Sequence, residues 1–136
     1  MQKIAPAHFK MIEHELYNYD DTVKRLELLK EQIIESGVTG ENVRVQTGRI
    51  SNPTLAKAID LLTNTEVQYL SWVVRAVNTA LLLLDEDHNE IYVHRYRQKK
   101  NWRQTLSEMY ISQDTYFKKR RELIQMVAVQ LGITKP

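Results

Sequence analysis

The run Trp102 to Arg121, WRQTLSEMYISQDTYFKKRR, sets the reading of the whole chain. A short amphipathic segment, Trp102 to Met109, meets a tight turn at Tyr110 and Ile111. Ser112 then stands where a second, longer helix begins, and its hydroxyl can accept from an orphan backbone N–H of the first turn. In that helix Tyr116, Leu123, Val127 and Leu131 follow at spacings of seven, four and four, which keeps them on one stripe. The other face carries Gln113, Asp114, Lys118, Arg121 and Gln125. Such a layout predicts a helix-turn-helix whose second helix is buried on one side and free to enter a major groove on the other. Three positions are atypical for a compact unit of this kind. Tyr110 occupies the turn where glycine is common, which predicts a positive φ, and Thr105 and Lys119 stand at sites that usually pack apolar side chains. The unit is therefore expected to be loosely packed or to lean on neighbouring elements.

Charge points the same way. Between Arg95 and Arg121 there are nine Lys or Arg against Glu108 and Asp114, a net of +7, while the whole chain carries only +2. The basicity is thus a local patch, which predicts a polyanionic partner for the C-terminal third. On this reading Gln113, Asp114, Thr115 and Lys118 reach base edges, and Lys99, Lys100, Arg103, Ser112, Lys119 and Arg121 hold phosphates. The plainer alternative is a solvated helical face with no partner at all. Aromatic residues mixed into the basic stretch, Tyr92, Tyr96, Trp102, Tyr110, Tyr116 and Phe117, could stack bases. Their helical spacing favours core filling for all but Tyr110, which the turn exposes.

Upstream, Phe9, Ile12, Leu16, Tyr19, Val23, Leu26 and Ile33 recur three and four residues apart with Lys30 at the one missing step, a heptad seam between Ala7 and Ser36. It predicts one long helix capped by Gly37, packed within the chain or against a second copy. Three of the four glycines, Gly37, Gly40 and Gly48, then mark residues 37–52 as a loop. Asn52 and Pro53 read as a cap and first helical residue, and a second long helix is expected from Pro53 to Leu84. Two long helices with apolar stripes should fold back as an antiparallel hairpin. The division expected is therefore a helical hairpin, residues 1–84, and a helix-turn-helix region, residues 85–136, in an all-α fold.

Other function classes find little support. With no cysteine there is no disulfide framework, Cys-based zinc site or thiol nucleophile. His8 and His14 are six residues apart, as are His88 and His94, so neither pair shares a helical face in the manner of metal ligands. Acids around His88, in DEDHNE (85–90), suit the first turn of a helix and its dipole. Neither an enzyme, a metal site nor a cofactor is expected. A hydrophobic content of 43% with 26% charged residues is ordinary for a globular chain, and the longest apolar run, Ala80 to Leu84, is too short to span a bilayer. The chain is expected to be intracellular and soluble, without membrane attachment.

The order of these parts resembles a known family. A helix ending in Arg95-Tyr96, the Ile111-Ser112-x-x-Thr115 entry to the recognition helix and the terminal Ala128-x-x-Leu131-Gly132 are similar to the pattern of the RinA/ArpU-like transcriptional regulators of phages and prophages. The resemblance covers most of the chain, is most specific in its last part, and departs at Thr105 and Lys119. It implies a C-terminus like σ-factor region 4 and regulation, by activation, of phage late or autolysin-type genes. Double-stranded DNA is the implied partner, with RNA polymerase and a homodimer mate as further candidates. A small terminase-type packaging subunit and a structural helical adaptor are the alternatives.

Overall fold

The computed structural model describes residues 3–46 and 53–136, with side chains for 3–33, 55, 60 and 64–136. These residues are all helical in their regular parts: α1 (Pro6–Tyr17), α2 (Tyr19–Gln46), α3 (Pro53–Leu83), α4 (Glu86–Ile91), a π-helical continuation (Tyr92–Arg97), α5 (Trp102–Met109) and α6 (Gln113–Leu131). The chain divides into two compact units, one of residues 1–20 and 72–136, the other of residues 21–71. That division falls inside α2 and α3, so α1 belongs with the C-terminal helices, whereas patterning suggested a single cut after residue 84.

The expected first helix is two. Asn18 breaks it, leaving the helical region at φ −102° and ψ 11°. Its side-chain amide Nδ2 donates to the His14 carbonyl at 2.8 Å, the same oxygen that its backbone N–H reaches at 3.1 Å, a local bond of the kind that favours helix ends. After the break the buried set is Thr22, Leu26 and Leu29, so the stripe has stepped back and Leu29 takes the place that the heptad count gave to Lys30. Further along, α2 continues through Gly37 and Gly40 to Gln46, which corrects both the Gly37 cap and the first part of the expected loop. Glycine within a helix costs about 1 kcal/mol relative to alanine but forbids nothing, and no proline intervenes before Pro53. The rest of the expected loop, with Gly48, and the Asn52 cap lie outside the described residues. Pro53 does open the next helix, as its fixed φ favours. Within the second unit, Arg25 joins α2 to α3 by a two-pronged bond to Glu66, Nε to Oε1 at 2.9 Å and Nη2 to Oε2 at 3.4 Å.

In the first unit the core is one cluster. Ile12 and Leu16 of α1, Val73, Val77 and Ala80 of α3, and Leu123, Ile124 and Val127 of α6 are all buried around Ile91, Tyr96 and Tyr116. The wider π-type turns after α4 help to fill it. Gln98 N–H bonds Val93 O, five residues back, at 2.8 Å, and this geometry keeps both Tyr92 and Tyr96 inward. Tyr96 meets Tyr17 edge-on with centroids 4.9 Å apart. Such contacts add roughly 0.5–1.5 kcal/mol beyond area burial.

Candidate nucleic-acid interface

Two helices joined by a short connection present the residues singled out above. α5 opens with a reciprocal cap: Asn101 Oδ1 accepts from Gln104 N–H at 2.8 Å, and Gln104 Oε1 accepts from Asn101 N–H at 3.1 Å. It closes at Tyr110, which has φ 56° and ψ 41°, the left-handed conformation that a turn here requires. For a residue with a Cβ this costs about 1 kcal/mol. Ser112 caps α6 as its position predicts, accepting from Thr115 N–H at 3.1 Å and donating its hydroxyl to Thr115 Oγ1 at 2.8 Å. The far end of α6 is tied by Gly132 in the left-handed region, with Ile133 N–H on Ala128 O and Gly132 N–H on Val129 O, a Schellman cap.

α6 is divided lengthwise. Tyr116, Leu123, Val127 and Leu131 are buried, together with Ile124 and Ala128. Opposite them Gln113, Asp114, Lys118 and Arg121 are exposed and Gln125 is half-buried. The atypical positions are accommodated rather than loose. Thr105 is fully buried, with its hydroxyl donated to Asn101 O at 3.0 Å, so no polar atom is stranded. Lys119 reaches Asp85 Oδ2 at 3.3 Å and Asp87 Oδ2 at 3.6 Å, so α6 leans on the start of α4.

The nine cations of the basic stretch have unequal fates. Arg120 Nη2 donates to Glu13 Oε2 at 2.7 Å, and the Tyr96 hydroxyl donates to the same oxygen at 2.8 Å, which ties α6, the π-helical segment and α1 together. Burial first, then the Glu13 carboxylate, pushes the Tyr96 phenol well above its ordinary range. Arg97 pairs with Asp20 at 3.4 Å. Lys100 is bonded to Glu108, whose carboxyl is lowered chiefly by that contact, and Arg95 donates to Lys100 O at 3.0 Å. Lys99, at φ 59°, gives its ammonium to Tyr17 O at 2.8 Å. Acids from outside the window, Glu13 on α1, Asp20 at the start of α2 and Asp85 and Asp87 at the start of α4, thus pair with three of its cations and offset about half of the +7.

What is left is smaller and sharper than the sequence suggested. Among the expected phosphate ligands, Lys100 and Lys119 are held in ion pairs, Ser112 is committed to the cap and Lys99 is tethered to a carbonyl. Arg103, its guanidinium 5.0 Å above the Trp102 ring, and Arg121 are exposed without an acidic partner among the described residues. Of the expected base readers, Gln113, Asp114 and Lys118 are exposed, while Thr115 is half-buried and takes the Ser112 hydroxyl.

At the start of α4, Asp85 caps the helix and accepts from His88 N–H at 3.2 Å and from His88 Nδ1 at 2.6 Å. The backbone N–H of His88, with help from its ring and from Lys119, holds Asp85 at about 2 against the opposing effect of burial. His88 is itself buried, its other ring nitrogen 3.1 Å from Glu122 of α6. The acidic patch and its histidine therefore fasten α4 to α6, a role that spacing along the chain did not reveal. No three His, Asp or Glu side chains converge as metal ligands among the described residues, and no described helix is long and apolar enough to cross a membrane. A scan against protein-family models, a search of curated proteins and a search of solved structures each found no match.

Proposed function

We propose that this chain is a sequence-specific DNA-binding protein that regulates transcription, with α5 and α6 as a helix-turn-helix like σ-factor region 4 and α2 and α3 as a helical hairpin. The observation that carries the reading is the division of α6. Its inner face is spent on the core, whereas Gln113, Asp114 and Lys118 stand exposed in its first two turns beside Arg121. Gln113 suits the two hydrogen-bonding atoms of an adenine edge, Asp114 the amino group of cytosine and Lys118 the acceptors of guanine. Arg103 and Arg121 supply phosphate contacts that fix the docking without reading sequence. The resemblance to the RinA/ArpU-like regulators suggests phage late or autolysin-type genes as the targets and activation as the outcome.

Selection of binding sites from random duplexes tests this directly. The wild type is expected to enrich a defined site, and Gln113→Ala with Asp114→Ala should lower the ratio of specific to non-specific affinity by about tenfold or more per lost base contact. The salt dependence of the double variant should match the wild type, because no cation has been removed. Binding without sequence preference by a large ring of subunits would instead support a packaging subunit, whose affinity rests on multivalency.

A further inference from the structure

We propose that Tyr110 is a backbone anchor for the bound duplex, its phenol donating to a phosphate oxygen next to the bases that α6 reads. The inference rests on the duplex-binding reading above. Among the described residues only Lys99 and Tyr110 combine a side chain with a positive φ, at 59° and 56°. Lys99 is repaid within the fold, since its ammonium bonds Tyr17 O at 2.8 Å and lies 5.5 Å from the centre of the Tyr17 ring. Tyr110 is not: the residue is 93% exposed, and its side chain has no polar partner or ring contact among the described residues. The other aromatics of the basic stretch, Tyr92, Tyr96, Trp102, Tyr116 and Phe117, are all buried or packed against the core.

A strained residue that the surrounding structure does not use is the kind of outlier from which a functional contact can be inferred. Glycine or asparagine would make the same turn with less strain, so the ring is a cost unless something outside the chain meets it. Tyr110 joins two helices that carry unpaired cations among the described residues, Arg103 in the first turn of α5 and Lys118 and Arg121 in the second and third turns of α6, against one exposed and unpaired acid, Asp114, which makes a polyanion the matching partner. A neutral phenol adds to such a surface what cations do not, a directional hydrogen bond to a phosphate oxygen. Tyr110 also precedes the Ser112 cap by two residues, so a contact there would hold the entry to α6 in register with the groove.

The experiment compares wild type, Tyr110→Phe, Tyr110→Gly and Lys118→Ala/Arg121→Ala on a random-sequence duplex pool over a range of salt, with thermal unfolding of each. Removing only the hydroxyl should weaken binding roughly tenfold and leave the salt slope unchanged. Tyr110→Gly should weaken it at least as much while melting at a higher temperature, which separates the contact from the fold. Binding by Tyr110→Phe equal to wild type would overturn the proposal, and the duplex-binding reading would stand if the Lys118/Arg121 variant were still impaired. Failure of the wild type to bind any duplex would overturn that reading and this inference with it.

Discussion

Four consecutive cations on α6 divide two and two. Lys119 and Arg120, the inner pair, are bonded to Asp85, Asp87 and Glu13, while Lys118 and Arg121, the outer pair, are exposed with no acidic partner among the described residues. Helical phase explains the alternation. Successive residues turn about 100°, so positions three apart return to one side while the two between them face the neighbouring helices. A block of like charge in a sequence is therefore two populations, one that stabilises the fold and one available to a partner. Composition alone merges them.

The comparison breaks first at Arg120. Its bond to Glu13 lies at 2.7 Å and its Nε is 3.4 Å from the Tyr96 hydroxyl, with Arg120 and Glu13 side chains 21% and 17% exposed. Replacing Arg120 with alanine leaves the Glu13 carboxylate largely desolvated with only the Tyr96 donor, and should cost about 3 kcal/mol in chemical denaturation. Lys118→Ala should stay within roughly 0.5 kcal/mol of wild type in the same measurement. If the two variants lost equal stability, the division of the run into structural and available cations would be wrong.

Binding should divide the same residues in the reverse order. With Arg103 and Arg121 as the phosphate contacts and Lys118 on a base edge, the logarithmic salt slope should be near −1.8, a loss of about twelve-fold in affinity between 50 and 200 mM salt. Counting all five of the basic residues first assigned to phosphates would put the slope near −4.5. Titrations of a duplex at several salt concentrations distinguish the two values. Lys118→Ala with Arg121→Ala should reduce the slope to about −0.9 without a measurable change in stability.

Much of the site could be read from local chemistry, and little of its balance could. Ser112 as a cap, a left-handed Tyr110 and the stripe of Tyr116, Leu123, Val127 and Leu131 each depend on residues within one or two helical turns, and the structure has them. The ion pairs do not: Glu13 and Arg120 are 107 positions apart, and Asp85 and Lys119 are 34 apart. Only the packing of α1 and α4 against α6 makes those acids neighbours of the basic stretch. The expectation of one unbroken first helix failed at Asn18 for a different reason. Heptad spacing counts side chains on a face and is blind to a side-chain amide that takes a backbone carbonyl from its own helix. Glycines at 37 and 40 misled in the opposite sense, since their cost to a helix is a bias and not a stop.

The smallest expected effect sharpens the comparison from the structural side, at Asp85. Lys119 contacts that carboxylate at 3.3 Å, and the His88 N–H is the main cause of its low value of about 2. A carboxyl with a folded pKa below its unfolded one stabilises the fold fully above the unfolded value, near 4. That contribution is lost as pH falls through the folded value, so the window lies between about pH 4 and pH 2. Because the side chain is 59% exposed, solvent screening keeps its ion pairs to a fraction of a kcal/mol. Loss of the cap adds to this, so Asp85→Ala should cost about 1 kcal/mol at neutral pH. In acid the gap between variant and wild type should close, since the wild type loses the same contribution by protonation. Lys119→Met keeps the aliphatic stem and tests the ion pair alone, with an expected loss below about 0.5 kcal/mol and no change in the duplex salt slope. A lower slope in Lys119→Met would mean that this cation leaves Asp85 and Asp87 for the duplex, and the inner pair would then lose one of its two members to the outer.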